Sequence, residues 1–136
     1  MNSPIAPLEG PSAAEFERSA RATFARMPKD FREKVADVLL RIEEFATPEQ
    51  LASVEIENRW HLTGLYEGTP LTEQSVWTPS QMPPVISLFR QPLLCEMRET
   101  GVGFDELVRH VVIHEAGHHF GFSDDDMHAL EDRSDD

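Results

Sequence analysis

The chain has 136 residues, a common size for a single domain, and 25 acidic against 12 basic side chains give it a formal net charge of −13. Its 40% hydrophobic and 27% charged residues argue against disorder over most of the length. The negative charge repels phosphate backbones and anionic membranes, so neither nucleic acid nor membrane is expected as a partner.

The chain opens with an irregular segment that leads into a helix. Residues 1–11 contain prolines and a glycine without apolar periodicity and are predicted to be disordered. Ser12 and Glu15 have the spacing of a capping box, in which the serine oxygen accepts from the backbone N–H of the glutamate. Apolar residues then recur at helical spacing as far as Pro28, which ends the helix because the residue before a proline avoids the helical region.

Two further helices are predicted to follow the first along the chain. Asp30 and Glu33 have the spacing of a second cap, and the apolar stripe over residues 31–45 predicts a helix of about four turns. Thr47, which precedes a proline, and Gln50 predict a third, short helix. These helices are expected to serve as scaffold, because nothing on them carries chemistry.

The middle of the chain shows strand patterns. Residues 54–57 alternate, residues 62–66 fit a strand, and residues 85–89 form a nearly continuous apolar run with β-branched side chains. The connection from Glu67 to Pro84 is rich in proline, and connections of this length in small domains are usually functional or mobile. We expect it to run past the active site.

The last part of the chain is predicted to hold two helices and a tail. Pro92 opens a short helix, a glycine-containing break follows, and a long helix begins at Phe104. Residues 132–136 are predicted to be a solvated acidic tail, which leaves residues 12–131 as a single domain.

Cysteine content and hydropathy predict a cytoplasmic protein. Cys95 is the single cysteine, so an intrachain disulfide is excluded, and its apolar neighbours are more typical of a core residue than of a nucleophile. The first residues lack the basic and apolar regions of a signal peptide, and no apolar run approaches the length of a membrane span.

The long helix carries the chemical motif of the chain. His114-Glu115-Ala116-Gly117-His118 fits the pattern H-E-x-x-H. Residues four apart on a helix lie one turn above each other, so both imidazoles can reach one metal ion while the glutamate lies near a metal-bound water. Counted around the helix from Phe104, these side chains continue the apolar stripe, so a buried, lined site is expected.

The motif extends beyond its second histidine. Gly121 can take the left-handed conformation that ends a helix, so that Asp124 meets the metal from a third direction. Asp125 or Asp126 could coordinate instead, and Asp124 could also simply cap the next turn. The predicted site consists of the catalytic Glu115 and the metal ligands His114, His118 and Asp124.

The run from His114 to Met127 resembles a family of very small bacterial zincin-like metallopeptidases, and His114 to Asp124 looks like the H-E-x-x-H-x-x-G-x-x-D variant of the metzincin pattern. Residues 64–68 and 88–90 are also similar to that family. The resemblance implies an α+β fold, a compact domain with N-terminal helices, a small mixed β-sheet and the active-site helix near the C-terminus. It also implies zinc as the cofactor, a peptide or protein as the substrate, the three metal ligands named above and Glu115 as the catalytic acid.

Other polar side chains give weaker signals. His119 lies about 100° around the helix from the second motif histidine and is interpreted as a neighbour rather than a ligand. His110, one turn before His114, could approach the site, but a surface or hydrogen-bonded role is preferred for it. His61 and His128 are candidates for transition-state stabilisation. Tyr66 is a further candidate, for which packing is the preferred interpretation.

Three functions are compatible with the motif. The first is a peptidase or peptide amidase. The second is a different metal-dependent hydrolase, because bacterial rRNA-maturation endonucleases have a similar H-x-x-x-H layout; in those, however, glycine occupies the position of Glu115, and the charge of −13 opposes RNA binding. The third is a non-catalytic zinc-binding module, against which Glu115 argues because a purely structural site has no need of it.

Overall fold

Helices flank a small sheet in the computed structural model, which describes residues 7–69, 83–122 and 125–126. Over residues 7–69 and 83–122 the chain forms five α-helices, three strands and a short 3₁₀ turn at Arg59–His61. In chain order they are α1 Ala13–Arg26, α2 Lys29–Lys34, β1 Leu39–Glu43, α3 Pro48–Ser53, β2 Gly64–Glu67, β3 Val85–Phe89, α4 Arg90–Thr100 and α5 Phe104–Phe120. The predicted α+β class is confirmed.

Local capping starts α1 and α3 as predicted. The cap predicted at Asp30 and Glu33 is wrong, because α2 begins at Lys29 with Pro28 as its N-cap and no side-chain cap hydrogen bond. Ser12 Oγ accepts from the N–H of Glu15 at 3.2 Å, and Glu15 Oε1 accepts from the N–H of Ser12 at 3.4 Å, so α1 starts at a complete capping box. Thr47 and Gln50 form the equivalent box at α3. Such caps need only residues three positions apart, and a sequence pattern can therefore identify them.

The predicted four-turn helix over residues 31–45 is wrong. Helix α2 ends at Lys34, and residues 39–43 form strand β1 instead. Exposed and partly buried side chains alternate along β1, with Leu40 and Ile42 packed against the core. The apolar residues of this segment suit both a period of 3.6 and a period of 2, and pairing with β3 selects the strand.

The alternation at residues 54–57 likewise does not form a strand. Helix α3 ends at Ser53, and Glu55 takes a positive φ of 57° in the turn that follows. A left-handed residue interrupts an extended chain, so no ladder can continue through it. The predicted strand at residues 62–66 is confirmed with shifted ends as β2, and the one at 85–89 is confirmed as β3.

The sheet has the order β1-β3-β2 and is mixed. Strand β3 pairs parallel with β1 from Leu39↔Val85 and antiparallel with β2 from Gly64↔Leu88. Its side chains from Ile86 to Phe89 are buried, and helices α4 and α5 both contact the strand. Strand β2 is left at the edge of the sheet, where it contacts α5.

The start of the described chain packs on α4, which corrects the prediction of a disordered segment at residues 8–11. The N–H of Leu8 donates to Gln91 Oε1 at 2.7 Å, and Gln91 Nε2 donates back to the carbonyl of Leu8 at 3.2 Å. Arg90 Nε donates to the carbonyl of Pro11 at 2.7 Å. Residues 1–6, 70–82 and 132–136 lie outside the described residues, so the domain boundaries and the acidic tail remain predictions.

Helix α5 lies against α1, α4 and the sheet and begins at Phe104 as predicted. Val108, Val112 and Ala116 are fully buried. The helix ends at Gly121, which has a φ of 76° and donates its N–H to the carbonyl of His118 at 3.1 Å. No helix in the described part of the chain is long and apolar enough to cross a membrane.

Candidate metal centre

The motif side chains gather on one part of α5. The ligand atoms of His114, Glu115 and His118 all lie within 4.8 Å of one another, and the two imidazole rings are 4.9 Å apart at their centroids. The rings are nearly perpendicular, at 87°. Two ring nitrogens one helical turn apart can therefore approach a common ion, as the spacing of four residues predicted.

Exposure divides the three side chains in a way that the sequence did not predict. The helical stripe predicted a buried site, but His114 and His118 are exposed, and Glu115 retains only 8% of its accessible surface. The imidazoles thus remain open to solvent while the carboxyl group lies in the protein. An ion held by these histidines would be accessible to a substrate from outside.

Burial decides the protonation of Glu115. Removal from water raises the pKa of its carboxyl group to about 7, and a hydrogen bond from the backbone of Tyr66 opposes that shift. A carboxylate that accepts an N–H is favoured in its charged form, but desolvation is the larger of the two effects here. Near neutral pH the group can therefore both release and take up a proton.

A glycine allows β2 to approach this carboxyl group. A Cβ atom on Gly64 would lie 2.6 Å from Val111 Cγ1 and 3.5 Å from Glu115 Cγ. The first separation is shorter than real carbon contacts, so any larger residue would have to displace either β2 or Val111. Gly64 belongs to the segment that resembles the zincin-like family, but the sequence alone assigns it no role.

Tyr66, two residues along β2, also reaches α5 through its side chain. Its hydroxyl oxygen lies 2.8 Å from His119 Nδ1, and His119 Nε2 lies 3.1 Å from the carbonyl oxygen of Lys34. A carbonyl only accepts, so Nε2 carries the proton. Burial lowers the pKa of His119, which favours the neutral ring, so Nδ1 is the acceptor and the Tyr66 hydroxyl donates to it.

This pair extends the sequence interpretation of both residues. Both ring nitrogens of His119 are hydrogen-bonded inside the protein, as suits a neighbour of the site rather than a ligand. Tyr66 packs against the core, as preferred from its sequence, but it is also a hydrogen-bond donor to α5. The two residues are 53 positions apart, and no local pattern indicates that they meet.

The remaining site predictions have separate outcomes. Asp124 and His128 lie outside the described residues, so the third ligand stays a prediction. Asp125 and Asp126 are helical and exposed. His61 is exposed in the 3₁₀ turn, with Nε2 at 3.4 Å from Asn58 Nδ2.

A small cavity of about 210 Å³ opens beside the motif, between α4, α5 and the residue that precedes β2. It is lined by Thr63, Glu96, His110, Val111, His114 and Glu115. Two motif side chains thus form part of its wall.

Comparison with known proteins identifies the family. The family model for zincin-like metallopeptidases matches residues 22–134, which include the sheet, α4 and the whole motif helix. The chain belongs to this family. A search of the curated proteins found no match. The resemblance seen in the motif is therefore confirmed over most of the length of this zincin-like protein.

Family membership and geometry agree on the nature of the site. Zincin-like proteins bind a divalent metal, typically zinc, and the His-Glu-His group supplies the nitrogen and oxygen donors that such an ion takes. Two exposed imidazoles one turn apart, beside a carboxyl group, fit an ion that retains an open position for substrate. The site is thus a potential metal centre of a zincin-like metallopeptidase.

Proposed function

We propose that this zincin-like protein is a zinc-dependent peptidase in which Glu115 is the general base. The observation that carries the proposal is the placement of one buried carboxyl group beside two exposed imidazoles on the same helix. A site that only stabilised the fold would need four closed ligands and no buried acid. The proposed metal ligands are His114, His118 and Asp124.

The metal and the protein would contribute different parts of the chemistry. A bound zinc ion supplies Lewis acidity, which polarises a peptide carbonyl and lowers the pKa of water to around 7. The side chains of His114 and His118 would hold the ion without adding charge, and the carboxylate of Asp124 would leave a net positive centre that suits an oxyanion.

Glu115 would move the proton. One of its carboxylate oxygens takes a proton from the attacking water and then delivers it to the nitrogen of the leaving amine. A general base works best when its pKa lies near the working pH. Burial raises the pKa of this group to about 7 in the metal-free protein, and the positive charge of a bound ion would lower it from there. The backbone hydrogen bond from Tyr66 would hold the carboxyl group in one orientation throughout.

Metal content and turnover together test the proposal. Mass spectrometry after dialysis against a weak chelator should find near-stoichiometric zinc in the wild type and in Glu115→Gln, and none in His118→Ala. Cleavage of a blocked peptide library should occur with the zinc-loaded wild type. It should fall by about a hundredfold to ten-thousandfold in Glu115→Gln, since general base catalysis contributes about 10² to 10⁴.

The two alternatives give different results when structured RNA is assayed beside the peptide library with the wild type and Glu115→Gln. A non-catalytic zinc module would bind zinc in both proteins and show no turnover in either. A hydrolase of the rRNA-maturation type would cleave structured RNA and leave the peptides intact. Either result would overturn the peptidase proposal.

A further inference from the structure

The cavity beside the motif has the size of a site for one side chain. Its volume is about 210 Å³. Pockets for drug-sized ligands span about 300 to 1,000 Å³, so this cavity is too small for such a molecule. Because His114 and Glu115 form part of its wall, a group bound in it would belong to a residue close to the bond that the proposed peptidase cleaves.

The chemistry of the wall is uneven. Val111 contributes an apolar surface and is buried against the core. Thr63 contributes a polar group from the residue before β2, and Glu96 contributes a carboxyl group from the facing helix α4. His110, His114 and Glu115 complete the wall. An occupant that matches Val111 and the carboxyl group of Glu96 has an apolar stem and a cationic end, as lysine and arginine do.

Glu96 is available for such a cation. Among the described residues, no basic side chain forms an ion pair with it. The two basic residues of α4 are engaged elsewhere, because Arg90 pairs with Glu44 at 2.9 Å and Arg98 donates to the carbonyl of Glu9 at 3.4 Å. A cationic ligand would stabilise the charged form of this half-buried carboxylate, which has no basic partner among the described residues. The net charge of −13 on the protein also attracts cationic peptides.

We propose that this cavity is a specificity pocket for a lysine or arginine side chain of the substrate, with Glu96 as the residue that selects it. A role of this pocket in substrate selection rests on the proposed peptidase function. The preference of the pocket for cationic side chains can be measured by binding alone. An α-amino group at a peptide N-terminus is another cation, and peptides blocked at both ends separate the two sources.

The test uses the zinc-loaded full chain and blocked peptides that differ at one position beside the scissile bond, which carries Lys, Arg, Leu or Glu. We expect kcat/KM to be about five to ten times higher for Lys and Arg than for Leu, and lowest for Glu. Glu96→Gln should remove the preference for a cation, and Glu96→Lys should reverse it in favour of Glu. Glu99→Lys is the matched control, because Glu99 lies on α4 but outside the cavity wall and is exposed.

Calorimetric binding of the same peptides to zinc-loaded Glu115→Gln separates this proposal from the proposed function. In one outcome the wild type cleaves no peptide while Lys and Arg peptides still bind to Glu115→Gln about five to ten times more tightly than the Leu peptide. If Glu96→Gln added to that variant removes the difference, the pocket is supported and the peptidase function fails. Equal binding of Lys and Leu peptides, or a preference that survives Glu96→Gln, would overturn the pocket. A preference that appears only with a free N-terminus would overturn the assignment to a side chain.

Discussion

Tyr66 joins the edge strand to the motif helix through His119, with 2.8 Å between the hydroxyl oxygen and Nδ1. The same tyrosine donates its backbone N–H to the carboxyl group of Glu115, one helical turn before His119. Its side chain and its backbone therefore contact α5 at two successive turns. Through these two contacts, β2 and the proposed general base hold each other in position.

Loss of the Tyr66 hydroxyl should weaken this connection. Tyr66→Phe leaves the buried Nδ1 of His119 without its donor, so we expect the free energy of unfolding to fall by about 1 to 2 kcal/mol. Urea unfolding of the metal-free protein measures this change. In a His119→Phe background the same substitution should cost much less, because no acceptor then remains to be left unpaired. Equal costs in both backgrounds would show that the hydrogen bond contributes nothing.

Gly64 should be intolerant of even one added methyl group. In Gly64→Ala the new Cβ would lie 2.6 Å from Val111 Cγ1, so we expect the free energy of unfolding to fall by about 1 to 3 kcal/mol. Peptidase activity should also fall, because β2 would move away from Glu115. The double variant Gly64→Ala/Val111→Ala should recover part of this loss relative to the sum of the single changes. Thermal or urea unfolding of the four proteins gives the coupling, and additive costs would exclude the contact as the cause.

Stability of the metal-free protein should depend on the pH through Glu115. Its folded pKa of about 7 lies above the ordinary value of 4.5, so the folded state holds a proton that the unfolded chain releases. The contribution of this group to the free energy of unfolding should therefore be highest below pH 4.5 and fall as the pH rises to about 7. Above pH 7 it should level off, and the total change should be at most about 3 kcal/mol.

Replacement of that carboxyl group isolates its contribution. In Glu115→Gln the decline between pH 4.5 and 7 should be absent, so the variant should be more stable than the wild type at pH 8 in the presence of a chelator. Glu99→Gln, which removes an exposed carboxyl group from α4, controls for the loss of one charge. A wild type and a Glu115→Gln variant with parallel pH profiles would contradict the burial effect.

The segment before α1 should depend on Gln91. This side chain is 1% exposed and holds both the N–H and the carbonyl of Leu8. Gln91→Ala removes both hydrogen bonds, so we expect residues 7–11 to become several times more susceptible to limited proteolysis while the site on α5 keeps its metal affinity. Mass spectrometry of the cleavage products measures the effect. Unchanged cleavage rates would show that other contacts hold this segment.

Several features that depend on near neighbours in the chain were predictable from the sequence, although the cap expected at Asp30 and Glu33 did not form. The capping box at Ser12 and Glu15, the one at Thr47 and Gln50, and the left-handed end of α5 at Gly121 each involve residues within one helical turn. The H-E-x-x-H motif belongs to the same class, because helix geometry alone brings its histidines together. The sequence by itself therefore determined the motif helix, its end and the family.

Only the tertiary structure decided the features that join distant residues. Residues 39–43 became a strand because β3 offered a partner, although their apolar pattern also suits a helix. The approach of Gly64 to Val111 and the hydrogen bond from Tyr66 to His119 come from the packing of β2 on α5. The pKa of Glu115 follows from burial in the folded protein, since desolvation depends on what surrounds a group in space and not on its neighbours along the chain.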